Sequence, residues 1–184
     1  MADKEAVPVE GTDIDVNIWT MPAVFVLETR MPDGMVEDLN TYLDDLREQA
    51  DKESLAHSLV GQIAHGEQLN MDPEHEKVRQ YSKFVTLLGA QYINHFMKST
   101  GQSLPKNRQV SIDETWSVHS YAGDYNPIHD HGTKTIMGIS TTCWTKVPQQ
   151  ILDQPAAGSP MYNKYESSGA CDGYLAFNYG RNEI

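Results

Sequence analysis

One residue separates His129 from His131, and on a β-strand two side chains at i and i+2 project from the same face. Both imidazoles can then reach one cation while Asp130, between them, points away. Imidazole suits Fe(II), Zn(II), Ni(II) and Cu(II), and a third ligand with open positions beside it is what an oxygen-activating iron requires. The segment follows the turn residues Gly123-Asp124-Tyr125-Asn126-Pro127 and precedes an apolar stretch, a context in which the mouth of a β-barrel presents such a pair to a ligand. The competing interpretation is two solvated histidines at the rim of a strand, since any two-histidine pattern has false positives.

The remaining chemistry-bearing residues carry less. His119 stands at the opposite alternation to Trp116 and Val118, so it faces a barrel interior if those two face the helices; a lone histidine is more commonly a surface or satisfied side chain. His65-Gly66-Glu67 has a His-x-Glu spacing, but in a glycine-bearing loop without strand context, and it is discounted. Trp116, Tyr121 and Tyr125 could line a pocket, although aromatic residues at strand spacing more often fill a core. His57, His75 and His95 read as surface positions, and Cys143 and Cys171 as free thiols, too few and too far apart for a disulfide framework.

The elements that must position the pair follow from periodicity. Residues 1–17 are charged and aperiodic and read as a loose or partly extended leader, with structure beginning near Ile18. Ala23 to Thr29 is a strand bounded by Pro22 and Pro32-Asp33-Gly34. Asp33 is expected to cap a helix with the apolar stripe Met35, Val36, Leu39, Leu43 and Leu46, and Asp51 to Met71 reads as a long polar surface loop with some short structure. Asp72-Pro73-Glu74 is a helix start, Asp72 the cap, for a long helix whose face runs through Val78, Tyr81, Val85, Leu88, Tyr92 and Phe96 to a stop at Gly101. Beyond it the texture turns to short β-segments: one through Trp116 and Val118, one from Thr135 to Trp144, one from Gly173 to Tyr179. Val147 to Asp172, rich in proline and glycine, reads as loop or lid.

This order, helices and then antiparallel strands, predicts an α+β chain: a double-stranded β-helix, or jelly roll, with amino-terminal helices packed against the sheet. The 184 residues fit one domain, 18–184 after the leader. A net charge of -12, from 14 basic and 26 acidic residues, argues against a nucleic-acid partner. No apolar stretch approaches a membrane span, and the first residues lack the order of a secretory signal, so a cytoplasmic location is expected.

Taken together, Trp116-Ser117-Val118, Gly123 to His131, and a following strand with Gly138 and Ser140 leading to Pro148 resemble the 2-oxoglutarate/Fe(II) oxygenases of marine phages and bacteria. In that family an Asn-Pro-x-His-x-His segment opens the site, and a segment like Asp172-Gly173-Tyr174-Leu175-Ala176-Phe177 forms a later jelly-roll strand. The resemblance implies a hydroxylase or dioxygenase of unspecified substrate with Fe(II) and 2-oxoglutarate as cofactors. It implies His129 as first ligand, His131 where many relatives place a carboxylate, or Asp130 if the backbone turns it inward, and cofactor contacts from Tyr125, Asn126 and Arg181. The family's distal histidine and arginine have no counterpart beyond Arg181, so the expectation extends to a shortened or partial chain, a barrel completed by another copy or partner, or His119 as substitute ligand. If phage-encoded, the protein would act in the host cytoplasm or the virion. The alternatives are a catalytically inactive jelly roll, such as a phage particle component, and a cupin-like metalloprotein, for which Gly123 and His129-x-His131 match the opening motif but the expected glutamate is missing.

Overall fold

Two helices and two small antiparallel sheets supply the described secondary structure of residues 1–141, and each helix is held by the stripe its sequence displays. The computed structural model describes residues 3–8, 15–21, 24–56, 65–103, 109–127, 129 and 138–153, and the chain divides into two compact units, 1–141 and 142–184. The fold is of mixed α+β type.

The first sheet is a three-stranded antiparallel meander of β1 (Asp3–Pro8), β2 (Asp15–Met21) and β3 (Val24–Thr29). On β2, Val16 and Ile18 lie two apart, share one face and are buried, with Leu27 and Leu88 packed against them. The expectation of a loose or partly extended leader over 1–17, with structure starting near Ile18, is thereby corrected where the residues are described: 3–8 and 15–17 are paired strand. Asp3-Lys4-Glu5 looks like a solvated tail, but strand formation is decided by the neighbouring strand as much as by local propensity, and β1 pairs residue for residue with β2, Glu5 opposite Ile18.

Helix α1 spans Asp33–Glu48 and buries Leu39, Tyr42 and Leu43, with Met35, Val36 and Leu46 partly covered. Each leucine removed from water contributes about 1.5–3 kcal/mol. Its start differs from expectation: Pro32 is the N-cap, its carbonyl accepts from Met35 N and Val36 N, and Asp33 lies inside the first turn, where its carboxylate pairs with Arg30 at 2.8 Å. That pair is exposed and worth little.

Helix α2 spans Glu76–Ser99 and begins later than Asp72-Pro73 suggests. Asp72 caps a turn of its own, Oδ1 accepting from Glu74 N at 2.9 Å, and His75 takes the N-cap, Nδ1 accepting from Lys77 N at 3.3 Å. The carboxyl end is as expected. Gly101, at φ 66°, occupies the left-handed position that glycine adopts without a Cβ penalty, while Gly101 N donates to Lys98 O and Gln102 N to Met97 O, the two bonds of a Schellman motif.

Along α2 the apolar face changes partner. Val78, Tyr81 and Phe84 pack on α1; further on, Leu88 packs on β2, the Tyr92 hydroxyl donates to Phe25 O at 3.0 Å, and Phe96 meets the Phe25 ring edge to face at 5.2 Å. Gly89 lets the segment at Val110 close in, for a Cβ there would sit 3.2 Å from Val110 Cγ1.

Tyr42, a buried residue of α1, ties down the turn ahead of α2: its hydroxyl accepts from Asp72 N at 2.8 Å. Tyr42→Phe keeps the ring and strands that N–H, so a loss of about 1–3 kcal/mol is expected in urea unfolding. An unchanged midpoint would mean that water replaces the hydroxyl.

The second sheet pairs β4 (Glu67–Asn70) with β5 (Trp116–His119). β4 is short structure within the stretch expected to be a surface loop with some short structure; Leu69 is its one large apolar residue, and an isolated bridge from Ser54 to Leu69 flanks it. The strand expected over Thr135–Trp144 does not form where it is described: 138–144 have no regular structure, are mostly exposed and pair with no strand among the described residues, and threonine and isoleucine content makes a strand only with a ladder partner. A short helix α3 (Gln149–Leu152) falls in the expected loop over Val147–Asp172. The rest of that loop and the Gly173–Tyr179 strand lie outside the described residues. Among the described residues no helix is long and apolar enough to cross a membrane.

Candidate functional site: the His129 loop and the inner face of β4–β5

The alternation along β5 turns out opposite in sense to a solvated sheet. Trp116 and Val118 are exposed while Ser117 is buried and His119 half-buried, so Trp116 and Val118 do not face the helices. Cross-strand register puts Leu69 beside Ser117 and Glu67 beside His119, and these four residues make the inner face.

That face is polar at one end. Glu67 Oε1 lies 2.8 Å from Lys52 Nζ, and Oε2 lies 3.6 Å from Arg47 Nε, longer than a hydrogen bond. Lys52 also donates to Arg47 O, among the last carbonyls of α1, where a cation is favoured by the helix dipole. The hydrogen bond from Lys52, reinforced by the charge of Arg47, holds the Glu67 carboxyl below the usual carboxylate range against an opposing push from burial.

His119 Nε2 lies 3.1 Å from Ser117 Oγ, which itself donates to Leu69 O at 3.4 Å. Burial, then the positive charge of Arg47, pushes the imidazole below its ordinary value, opposed by Glu67 and Asp44. This bears on the expectation of His119 as a substitute metal ligand: Arg47 and Lys52 both disfavour added positive charge here.

The depressed value has a sign. A histidine held neutral in the fold binds its proton more readily once unfolded, so its contribution is complete above the ordinary value near 6.5 and is lost as pH falls through that value toward the folded one. Between pH 7.5 and 5.5 the wild type should therefore lose more stability than His119→Gln. Parallel pH profiles for the two would remove His119 as the cause.

Past β5 the chain turns sharply. Asp124 N donates to Tyr121 O at 3.0 Å, Gly123 sits at φ 93°, and Asp124 Oδ2 accepts from Tyr121 N at 2.8 Å. Asp124 Oδ1 accepts from His65 N at 3.3 Å, and Tyr121 OH accepts from Arg47 Nη2 at 2.7 Å. Tyr125 and Asn126 follow, both exposed. His129, also exposed, has Nδ1 2.8 Å from Pro127 O.

A carbonyl oxygen only accepts, so Nδ1 must carry the hydrogen, and the lone pair of the neutral ring is then on Nε2. A backbone carbonyl on one imidazole nitrogen, fixing ring orientation and leaving the other nitrogen basic, is how proteins prepare a metal-ligating histidine.

Of the residues expected at the site, Tyr125, Asn126 and His129 share one loop; Asp130, His131 and Arg181 lie outside the described residues. Among the described residues no group of three or more His, Cys, Asp or Glu side chains is gathered to hold a metal. Sequence reasoning missed Arg47, Lys52 and Ser117 and discounted Glu67. The available signal was the His-x-Glu spacing at His65, whose Glu67 proves to open a strand. No protein-family model, no curated protein and no solved structure matches this chain.

Proposed function

We propose that the His129–His131 segment binds a single Fe(II) at the mouth of a jelly roll and that the protein is a 2-oxoglutarate-dependent oxygenase. The observation that carries the reading is the bond between His129 Nδ1 and Pro127 O, which puts the lone pair of the neutral ring on Nε2. The donor set suits the metal: imidazole is a good ligand for Fe(II), and a two-histidine segment leaves room for a chelating co-substrate. When bound, the iron and 2-oxoglutarate would supply the oxidising chemistry that hydroxylates a C–H bond.

The chain's own task is to present ligands and shape the approach. His129 offers Nε2 and His131 the second nitrogen, with Asp130 as the carboxylate alternative. Tyr125 and Asn126, exposed on the same loop, would contact the co-substrate, and Arg181 would supply the positive charge for its carboxylate. His119, paired with Ser117 beside two cations, is left out of the ligand set.

Anaerobic addition of Fe(II) and then 2-oxoglutarate tests this. A weak visible charge-transfer band that needs both components is expected; a colourless, metal-free protein would overturn the proposal and favour a structural jelly roll.

A further inference from the structure

We infer that Asp124 is the positioning residue of the His129 loop, one carboxylate tying the turn after β5 to the chain ahead of β4. The inference rests on the reading of His129 as a ligand for its use, though not for its geometry.

Asp124 gives each of its two oxygens a different task. Oδ2 accepts from Tyr121 N at 2.8 Å, and the Asp124 amide donates back to Tyr121 O at 3.0 Å, so backbone and side chain of one residue lock the turn from both sides. Oδ1 accepts from His65 N at 3.3 Å, two residues before Glu67 opens β4. The turn has a third hold, since Tyr121 OH accepts from Arg47 Nη2 at 2.7 Å. The end of α1, the approach to β4 and the exit of β5 thus meet at one four-residue turn.

His129 lies five residues further on, and its ring is set by a backbone carbonyl of the same loop. That contact can fix the ring only if the loop backbone is itself held, and Asp124, the nearer of the two side chains that tie this turn to other parts of the chain, both closes the turn and holds it to the approach of β4. A carboxylate is the group that can do so: it accepts through both oxygens, whereas asparagine keeps one acceptor and turns an NH2 donor toward a second N–H.

The test reads His129 directly. Long-range proton–nitrogen NMR at pH 7.5 should show the wild-type His129 ring with its hydrogen on Nδ1 and none on Nε2. Asp124→Ala should replace this by tautomer averaging, and Asp124→Asn and Tyr121→Phe should shift it part of the way. Tyr42→Phe weakens the fold away from the turn and should leave the pattern intact, separating positioning from general loosening.

With Co(II) as the probe metal, affinity should fall about 10-fold in Asp124→Ala, the scale expected of a residue that orients a ligand. If Asp124→Ala does not fold, the Asn and Phe variants carry the comparison. A wild-type pattern retained in the Asp124 variants, or absent from the wild type itself, overturns the inference. A wild type that shows the pattern, loses it in Asp124→Ala and yet takes up no Co(II) leaves Asp124 as positioner and removes the metal reading instead.

Discussion

His129→Ala should abolish the visible band of the Fe(II)/2-oxoglutarate complex and weaken metal binding by at least about 100-fold, beyond what loss of an orienting neighbour costs. The size follows from chemistry, because an alanine offers no lone pair and the proposed site of two imidazoles would be left with one. Stability should hardly move. His129 is exposed, and truncating an exposed side chain away from the core should keep unfolding within about 0.5 kcal/mol of wild type. A band that survives the substitution would defeat the ligand assignment, and a large loss of stability would mean that His129 is a structural residue.

Leu69→Ala should cost about 2–5 kcal/mol, the range for truncating a buried leucine. Leu69 is 1% exposed and stands opposite Ser117 in the β4–β5 ladder. Both strands are four residues long, and so short a pair is marginal without packing on one face. The loss should therefore reach beyond the cavity, loosening the strand that leads to the Tyr121 turn. Urea unfolding with an unchanged slope gives the stability loss, and metal titration of the folded variant gives the loosening. A cost below 1 kcal/mol would mean that the inner face of the sheet closes over the gap.

Periodic elements were legible in the sequence because their cause is local. The stripes of α1 and α2 could be read at helical spacing, and the end of α2 from Gly101, since a left-handed residue after a helix favours glycine whatever surrounds it. Helix starts were not. Asp72 satisfies the sequence rule for a cap, yet His75 performs the task, because Asp72 spends its carboxylate on the preceding turn.

The short strands were harder still. β1 is charged, β4 has one large apolar residue, and both exist by virtue of ladders with partners elsewhere in the chain. The polar cluster on the inner face lay beyond any spacing rule, since Arg47 meets Tyr121, a sequence separation of 74. The loop with His129 was legible as a segment, but the carbonyl that sets its tautomer is a matter of backbone conformation.

The pairing of β4 with β5 brackets the whole of α2, since one strand precedes the helix and the other follows it. The excursion that leaves at Asn70 returns beside it at Trp116, which makes the junction after Gly101 a connection the assembled protein can spare. A polypeptide nicked there, or expressed as two pieces divided there, should stay together through the β4–β5 ladder, the bond from Met71 N to Thr115 O and the holds of Arg47 and His65 on the Tyr121–Asp124 turn.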